Sequence, residues 1–284
     1  QPTATHTTRA AWFKRNVSQP QQQHNNRAKH ELKISAKKGL HIGNWNVTGI
    51  LESAKLHTVI SKMKRLNIDL MVLTETHIKE PGSFMVDGYT VFHSADAERH
   101  KGTGKLMQNF TGVSIITAPY ITPTIIDIRP HNGRFMDMII NTAQAPLHIL
   151  ATYAPHNGIE YEDRQRYYTE LAVRLNSTPP STFTLLVGDL NAQIHDEALT
   201  NNSITGPHAH PPIPSQLQEP EEDPNNAALL QQLCHDQLLC FPQTWQRKSI
   251  QQTHTHTRPL GFTVQLDHFM CAEAWKANVL NIST

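Results

Sequence analysis

Leu56, Val59, Ile60, Met63 and Leu66 recur at intervals of three and four residues, so one side of that stretch is apolar and the spacing predicts an amphipathic helix. The same periodicity predicts helices over Glu160–Leu175 and Ala227–Leu239. Other stretches are short apolar runs bounded by polar residues, the mark of strands covered on both faces. Asp69–Thr74, with Leu70, Met71, Val72 and Leu73 in succession, shows this most clearly. His41–Val47, Gly112–Thr117, Arg134–Asn141, Leu147–Tyr153, Phe183–Val187 and Val264–Met270 also read as strands. The two kinds of element are mixed without a regular βαβ period, so the expectation is a single α/β domain with several hairpins.

Two stretches break the pattern. Residues 1–38 contain the run Gln19-Pro20-Gln21-Gln22-Gln23-His24-Asn25-Asn26 with few apolar residues around it. Such a segment buries too little surface to offset the entropy of ordering, so it reads as a disordered polar tail, with the folded domain over 39–284. Arg27, Lys29, Lys37 and Lys38 near its end read as solvated charges first and as a supplementary nucleic-acid contact second. Pro207–Pro224 carries six prolines and several acids and reads as an irregular surface insertion.

Charge changes this picture little. Lys and Arg number 25 against 24 Asp and Glu, a net +1 over 284 residues. No global basic field is available to hold a polyanion, so a nucleic-acid partner needs a local patch. Cys234, Cys240 and Cys271 lack C-x-x-C spacing and cannot all pair, which favours a reducing, intracellular compartment. No apolar run reaches membrane-spanning length, and the start shows no signal-peptide pattern. Neither a membrane nor an obligate protein partner is expected.

Three carboxylates share one local setting. Glu75 ends Met71-Val72-Leu73-Thr74-Glu75, Asp189 ends Leu185-Leu186-Val187-Gly188-Asp189, and Asp267 lies within Val264-Gln265-Leu266-Asp267-His268-Phe269. Strand ends of α/β sheets open on a common crevice. Carboxylates gathered there make a hard-oxygen cluster suited to Mg²⁺ or Mn²⁺. One such acid serves as readily as a cap for a helix or turn. Three of them, alongside Asn46 and Asn191, favour the metal cluster. Neutral amides suit a phosphate, because a further acid beside it would repel it.

These residues belong to longer motifs: Trp45-Asn46-Val47, Leu73-Thr74-Glu75-Thr76-His77, Gly112-Val113, Thr152-Tyr153-Ala154-Pro155-His156, Gly188-Asp189-Leu190-Asn191-Ala192 and Gln265-Leu266-Asp267-His268. In this order they resemble the endonuclease/exonuclease/phosphatase superfamily. Tyr-Ala-Pro-His followed by the Asp-, Arg- and Tyr-rich stretch 162–168 resembles in particular the apurinic-type endonucleases of non-LTR (LINE-like) retrotransposons. The resemblance covers about residues 40–284. It implies an α/β fold, the four-layer α/β-β/α sandwich of the deoxyribonuclease I kind, with its site at one end. It also implies a hydrolase that cleaves DNA phosphodiester bonds with Mg²⁺ or Mn²⁺.

Motif by motif, Glu75 resembles the principal metal ligand, and Asn46 supports that metal or holds the scissile phosphate. By the same resemblance, Tyr153 would hydrogen-bond the phosphate and stabilise charge in the transition state. Asp189 would position or deprotonate the attacking water, Asn191 would bind a phosphate oxygen, and Asp267 would orient the family's general-base histidine. Arg134, opening a strand, contacts substrate backbone or forms an ion pair. Phosphodiester hydrolysis needs these functions: offset of negative charge, and an activated water.

The family carries a further Ser-Asp-His strand beyond the Gln-Leu-Asp motif. The residues flanking Asp267 match the earlier strand, so His268 reads as structural. The expectation is then a chain that stops before the Asp-His strand, with hydrolysis impaired and a sheet edge left unpaired. Thr48 stands where base-excision relatives place an acid, which favours nicking over strict abasic-site repair. Trp45 reads as core. His254 and His256 share a strand face but lack two further ligands, so they read as exposed residues and not as a zinc site. Lys101 and Lys105 lie in a Gly-rich loop, where phosphate contact and simple solvation are both open. The leading expectation is a DNA-nicking endonuclease of retrotransposon origin, nuclear when it acts on chromosomal DNA. Its rival from another class is a catalytically inactive, host-retained derivative that binds DNA or protein. The motif wording disfavours a phosphoinositide or poly(A) substrate.

Overall fold

The computed structural model describes residues 30–33, 39–95, 111–179, 181–194, 204–209, 223–257 and 263–283. The chain divides after Gln144 into two compact units.

In the first unit, β1 (Ile42–Asn46) leads through α1 (Ser53–Leu66) to β2 (Leu70–Thr74), which pairs parallel to β1 as a βαβ crossover requires. Helix α1 forms because Leu56, Val59, Ile60 and Met63 fall on one side, where they join a buried cluster with Val47, Met71, Leu73, Phe84, Val91 and Ile116. It stops at Asn67, whose left-handed backbone (φ 53°) returns its N–H to the carbonyls of Met63 and Lys64. Strands β3 (Gly82–Val86) and β4 (Tyr89–His93) form a hairpin around Asp87 and Gly88, both at positive φ, the conformation of a type I′ turn. Strand β5 (Ser114–Thr117) sits between β2 and β4, giving the order β1-β2-β5-β4-β3. A second hairpin pairs β6 (Ile125–Asn132) with β7 (Phe135–Ile140).

In the second unit, β8 (Leu147–Tyr153), α2 (Tyr161–Asn176) and β9 (Phe183–Asp189) make another βαβ crossover. Helix α2 buries Arg164, Tyr167, Tyr168 and Leu171, one face at i, i+3, i+4 and i+7. Helix α3 (Asn226–Gln237) begins at Asn225, whose side chain accepts the N–H of Ala228 at 3.1 Å. Strand β10 (Leu239–Cys240) follows, then the short ribbon β11 (His256–Thr257) and β12 (Thr263–Val264). Strand β13 (Asp267–Ala272) runs antiparallel between β9 and β10, so these strands lie in the order β10-β13-β9-β8. All three cysteines are buried thiols.

Every helix and strand expected from the pattern is present, with local differences. The stretch Val264–Met270 is two strands, because Thr255 Oγ1 accepts the N–H groups of Leu266 and Asp267 and Leu190 N–H donates to the Leu266 carbonyl. The strand beginning at Phe183 runs on through Asp189. Leu66 ends α1 largely exposed, outside the apolar face it was grouped with. Trp45 is half-buried at the edge of the core, with Lys62 Nζ 4.3 Å above its ring. Within the stretch read as a polar tail, Leu32 is buried and bridges Thr142 in parallel. Residues 1–29 and 34–38, the insertion over 210–222, Lys101 and Lys105 lie outside the described residues. No helix among the described residues is long and apolar enough to cross a membrane.

Candidate active site

Parallel pairing of β1 with β2 sets Asn46 opposite Thr74, so the next residue, Glu75, leaves the sheet beside Asn46. Asn46 Nδ2 donates to Glu75 Oε1 at 2.7 Å, and Asn46 Oδ1 accepts the Thr48 N–H at 3.1 Å. The backbone here is unusual. Thr48, Glu75 and His77 all have positive φ (46°, 53° and 58°), a conformation that costs of order 1 kcal/mol or more for a residue with a Cβ. A mesh of hydrogen bonds holds it. Gly49 N–H donates to the Glu75 carbonyl at 2.6 Å and Ile50 N–H to Thr76 at 3.1 Å, while the Thr76 and His77 N–H groups donate to the Gly112 and Thr111 carbonyls. Lys55 Nζ closes the other side by donating to the carbonyls of Val47, Thr48 and Gly49 at 2.9, 3.2 and 2.9 Å. Burial holds the His77 imidazole below its usual pKa; Lys55 adds to this and Glu75 opposes it.

Gly112 has to be glycine. Its φ is +116°, and a Cβ there would lie 2.4 Å from Thr76 Oγ1. Its N–H donates to the Gly133 carbonyl at 2.8 Å, which fastens the β6–β7 turn to the Thr76 segment. Arg134 follows in that turn, half-buried, with its N–H donated to Asn132 Oδ1.

The second unit carries the remaining candidates. Tyr153 on β8 is opposite Asp189 on β9, and Asp189 is opposite Asp267 on β13. Residues aligned across adjacent strands share a face, about 4.8 Å apart, so the phenol and two carboxylates stand in a row. Two carboxylates directly opposite each other are an uncommon pairing in a sheet, which makes this row a candidate site. The adjoining row, Thr152, Gly188 and His268, faces the other way. There the His268 ring is buried, with Nε2 2.8 Å from the Ala192 carbonyl and its edge against Phe241. Thr152 Oγ1 meets Tyr167 OH at 2.6 Å. Gly188 is the second obligatory glycine: a Cβ would fall 1.8 Å from the Thr152 carbonyl oxygen.

Asn191 has positive φ (46°); its N–H donates to Asp189 Oδ1 at 2.9 Å and its Nδ2 to the Ala154 carbonyl at 2.8 Å. Ala154 N–H returns to the Asp189 carbonyl at 2.9 Å. Thus Tyr153, Asp189, Asn191 and Asp267 are brought together in one unit, and Asn46 with Glu75 in the other, where the turn bearing Arg134 is tied to the same strand end.

Sequence reasoning missed three supports: Lys55, Arg164 and Asn226. Arg164 is buried and donates from Nε to the Ile159 carbonyl at 2.9 Å and from a terminal nitrogen to the Pro224 carbonyl at 2.7 Å. Only a hint of Asn226 was legible, since a pair of Asn residues before an apolar helix signals an N-cap.

Among the described residues, no group of three or more His, Cys, Asp and Glu converges as a metal cage. A carboxylate and an amide oxygen are still the donor chemistry of a hydrated Mg²⁺, which binds through one or two carboxylates and keeps several waters. Glu75 supplies such a carboxylate; Asn46 touches it through Nδ2 while its Oδ1 accepts the Thr48 N–H, so Asn46 here orients the carboxylate and would offer its oxygen to the ion only with the amide turned.

Comparison with known proteins agrees with the motifs. Craniofacial development protein 2 of Bos taurus is 24% identical over 244 residues, which are 86% of this chain and 38% of the relative; the chain thus spans well under half the length of that relative. An AP endonuclease structure, LMAP from Leishmania major, superposes with a TM-score of 0.57 at 15% identity, covering 82% of this chain and 79% of that one. The endonuclease domain of TRAS1, a telomere-specific non-LTR retrotransposon, gives 0.46 at 14% identity over 81% of this chain and 84% of that domain. The AP endonuclease likeness shows the fold to be the α/β sandwich of the deoxyribonuclease I kind. The Endonuclease/Exonuclease/phosphatase family model matches residues 43–280, from within β1 to beyond β13, and the chain belongs to that family.

Proposed function

We propose that this chain is a divalent-metal-dependent endonuclease that nicks DNA, of retrotransposon origin, working as one catalytic domain over 39–284. The row of Tyr153, Asp189 and Asp267, with Asn191 bonded to Asp189, carries this reading. It places a phenol donor, a carboxylate base and an amide side by side, the set a phosphodiester needs.

In this reading Glu75 and Asn46 hold Mg²⁺ or Mn²⁺; when bound, the ion offsets charge on the phosphate. Asp189 accepts the proton of the attacking water, its orientation set by the Asn191 N–H. Tyr153 O–H donates to a phosphate oxygen as negative charge builds there. Asn191 Nδ2 has two hydrogens, and the one not given to Ala154 donates to another phosphate oxygen. Asp267, next to Asp189, would orient an imidazole in the family's mechanism, and without that imidazole hydrolysis would be impaired; Arg134 neutralises a backbone phosphate. Action on chromosomal DNA would locate the protein in the nucleus.

The test is conversion of supercoiled plasmid to open circles in Mg²⁺, in Mn²⁺ and in EDTA, for wild type, Glu75→Ala and Asp189→Ala. Nicking that needs the metal, with each variant at least about 100-fold slower, supports the proposal. An intact plasmid with DNA binding retained supports the non-catalytic binding derivative.

A further inference from the structure

Asn226 is fully buried in the first turn of α3, and no role in hydrolysis has so far been given to it. Its Nδ2 donates to the Pro155 carbonyl at 2.6 Å and to the Asn191 carbonyl at 3.3 Å. Its backbone N–H donates to Asn157 Oδ1 at 2.8 Å, and its carbonyl accepts Tyr168 O–H at 3.2 Å. One side chain therefore ties the loop two residues after Tyr153 to the loop two residues after Asp189. Arg164 pins both flanks of this network, at Ile159 and at Pro224.

A buried amide is an expensive way to fill space, because it must find partners for its polar atoms where an apolar side chain needs none. Here its donors are spent on two carbonyls from different loops, each loop carrying a residue proposed to act on the phosphate. We infer that Asn226 is a positioning residue: it fixes the spacing of Tyr153 and Asn191 through the carbonyls of Pro155 and of Asn191 itself, without touching substrate. The inference rests on the endonuclease reading and extends it to a residue outside the reacting groups. Small errors in placement are costly in such sites, about 100-fold for 1 Å.

The experiment measures nicking kinetics, with kcat and KM separated, for wild type, Asn226→Ala, Asn191→Ala, the double variant and Asn157→Ala, each with a thermal melt. Asn226→Ala is expected to lower kcat by about 30-fold while KM stays within about threefold. In the Asn191→Ala background the same change is expected to cost less than it does alone, because only the Tyr153 loop, held through the Pro155 carbonyl, is then left to misplace. Asn157 is exposed, so Asn157→Ala should melt like wild type yet lose kcat by about fivefold. A full independent loss in the double variant, or a kcat within twofold of wild type for folded Asn226→Ala, overturns the inference. Where Asn226→Ala unfolds at the assay temperature, an unchanged kcat in Asn157→Ala overturns it. A wild type that nicks normally alongside an unaffected Asn226→Ala removes this inference alone. A wild type that leaves plasmid intact with either metal removes the endonuclease reading and this inference with it.

Discussion

His93 ends β4 with 2% of its surface exposed, paired in register with Gly82 and Ser114 and with its ring centroid 5.6 Å from that of Phe84. Burial pushes its pKa down from 6.5 to about 4, partly offset by the Glu80 backbone. Above pH 6.5 the imidazole is neutral folded or unfolded, and stability does not depend on it. As pH falls from 6.5 towards 4, the unfolded chain takes up a proton that the folded chain refuses, and stability declines. The full loss, reached below about pH 4, is about 3 kcal/mol at about 1.36 kcal/mol per pH unit. Between pH 7 and pH 5 the loss should be about 2 kcal/mol, a sizeable part of a total near 5–15 kcal/mol. Other groups titrate in the same range, so the readout is a difference. Urea unfolding of wild type and of His93→Gln, which cannot titrate, should give stabilities whose difference shifts by about 2 kcal/mol across that interval, wild type losing more on acidification. A difference that stays flat to within about 0.5 kcal/mol refutes the reasoning and means that His93 gains a proton without opening the core.

Gly188→Ala should cost about 3 kcal/mol or more in urea unfolding, because its Cβ would meet the Thr152 carbonyl at 1.8 Å and force β8 from β9. Nicking should fall below detection even where the variant is folded, since that pair of strands aligns Tyr153 with Asp189. Lys55→Met removes three donated hydrogen bonds at an exposed site and should cost only about 1 kcal/mol of stability. Its effect on nicking should be larger, with the Mg²⁺ midpoint of the rate raised several-fold; an unchanged midpoint would show that the Thr48 loop holds its shape without the lysine. Leu32→Ala should lower stability by about 2 kcal/mol, measured by thermal melting, if the bridge to Thr142 anchors the segment before β1.

The amino-acid order alone determined helix α1 and strand β2, because periodicity and apolar runs are local and burial obeys them directly. It also located the acids, since a carboxylate ending an apolar strand is visible without knowing the partner strand. The β3–β4 hairpin was not read from the sequence, although its Asp87-Gly88 turn is a local signal that could have revealed it. What local pattern could not supply was register. Tyr153, Asp189 and Asp267 form one row only because β8, β9 and β13 pair without offset, and a slip of one residue would put His268 in the place of Asp267. Nor could it supply the tasks of Lys55, Arg164 and Asn226. Their partners are backbone carbonyls, which every residue has, so nothing in the order of side chains marks which ones will be met. Tertiary structure decided these because the hydrogen bonds of buried polar groups are made wherever folding leaves an acceptor, and that depends on the path of the whole unit.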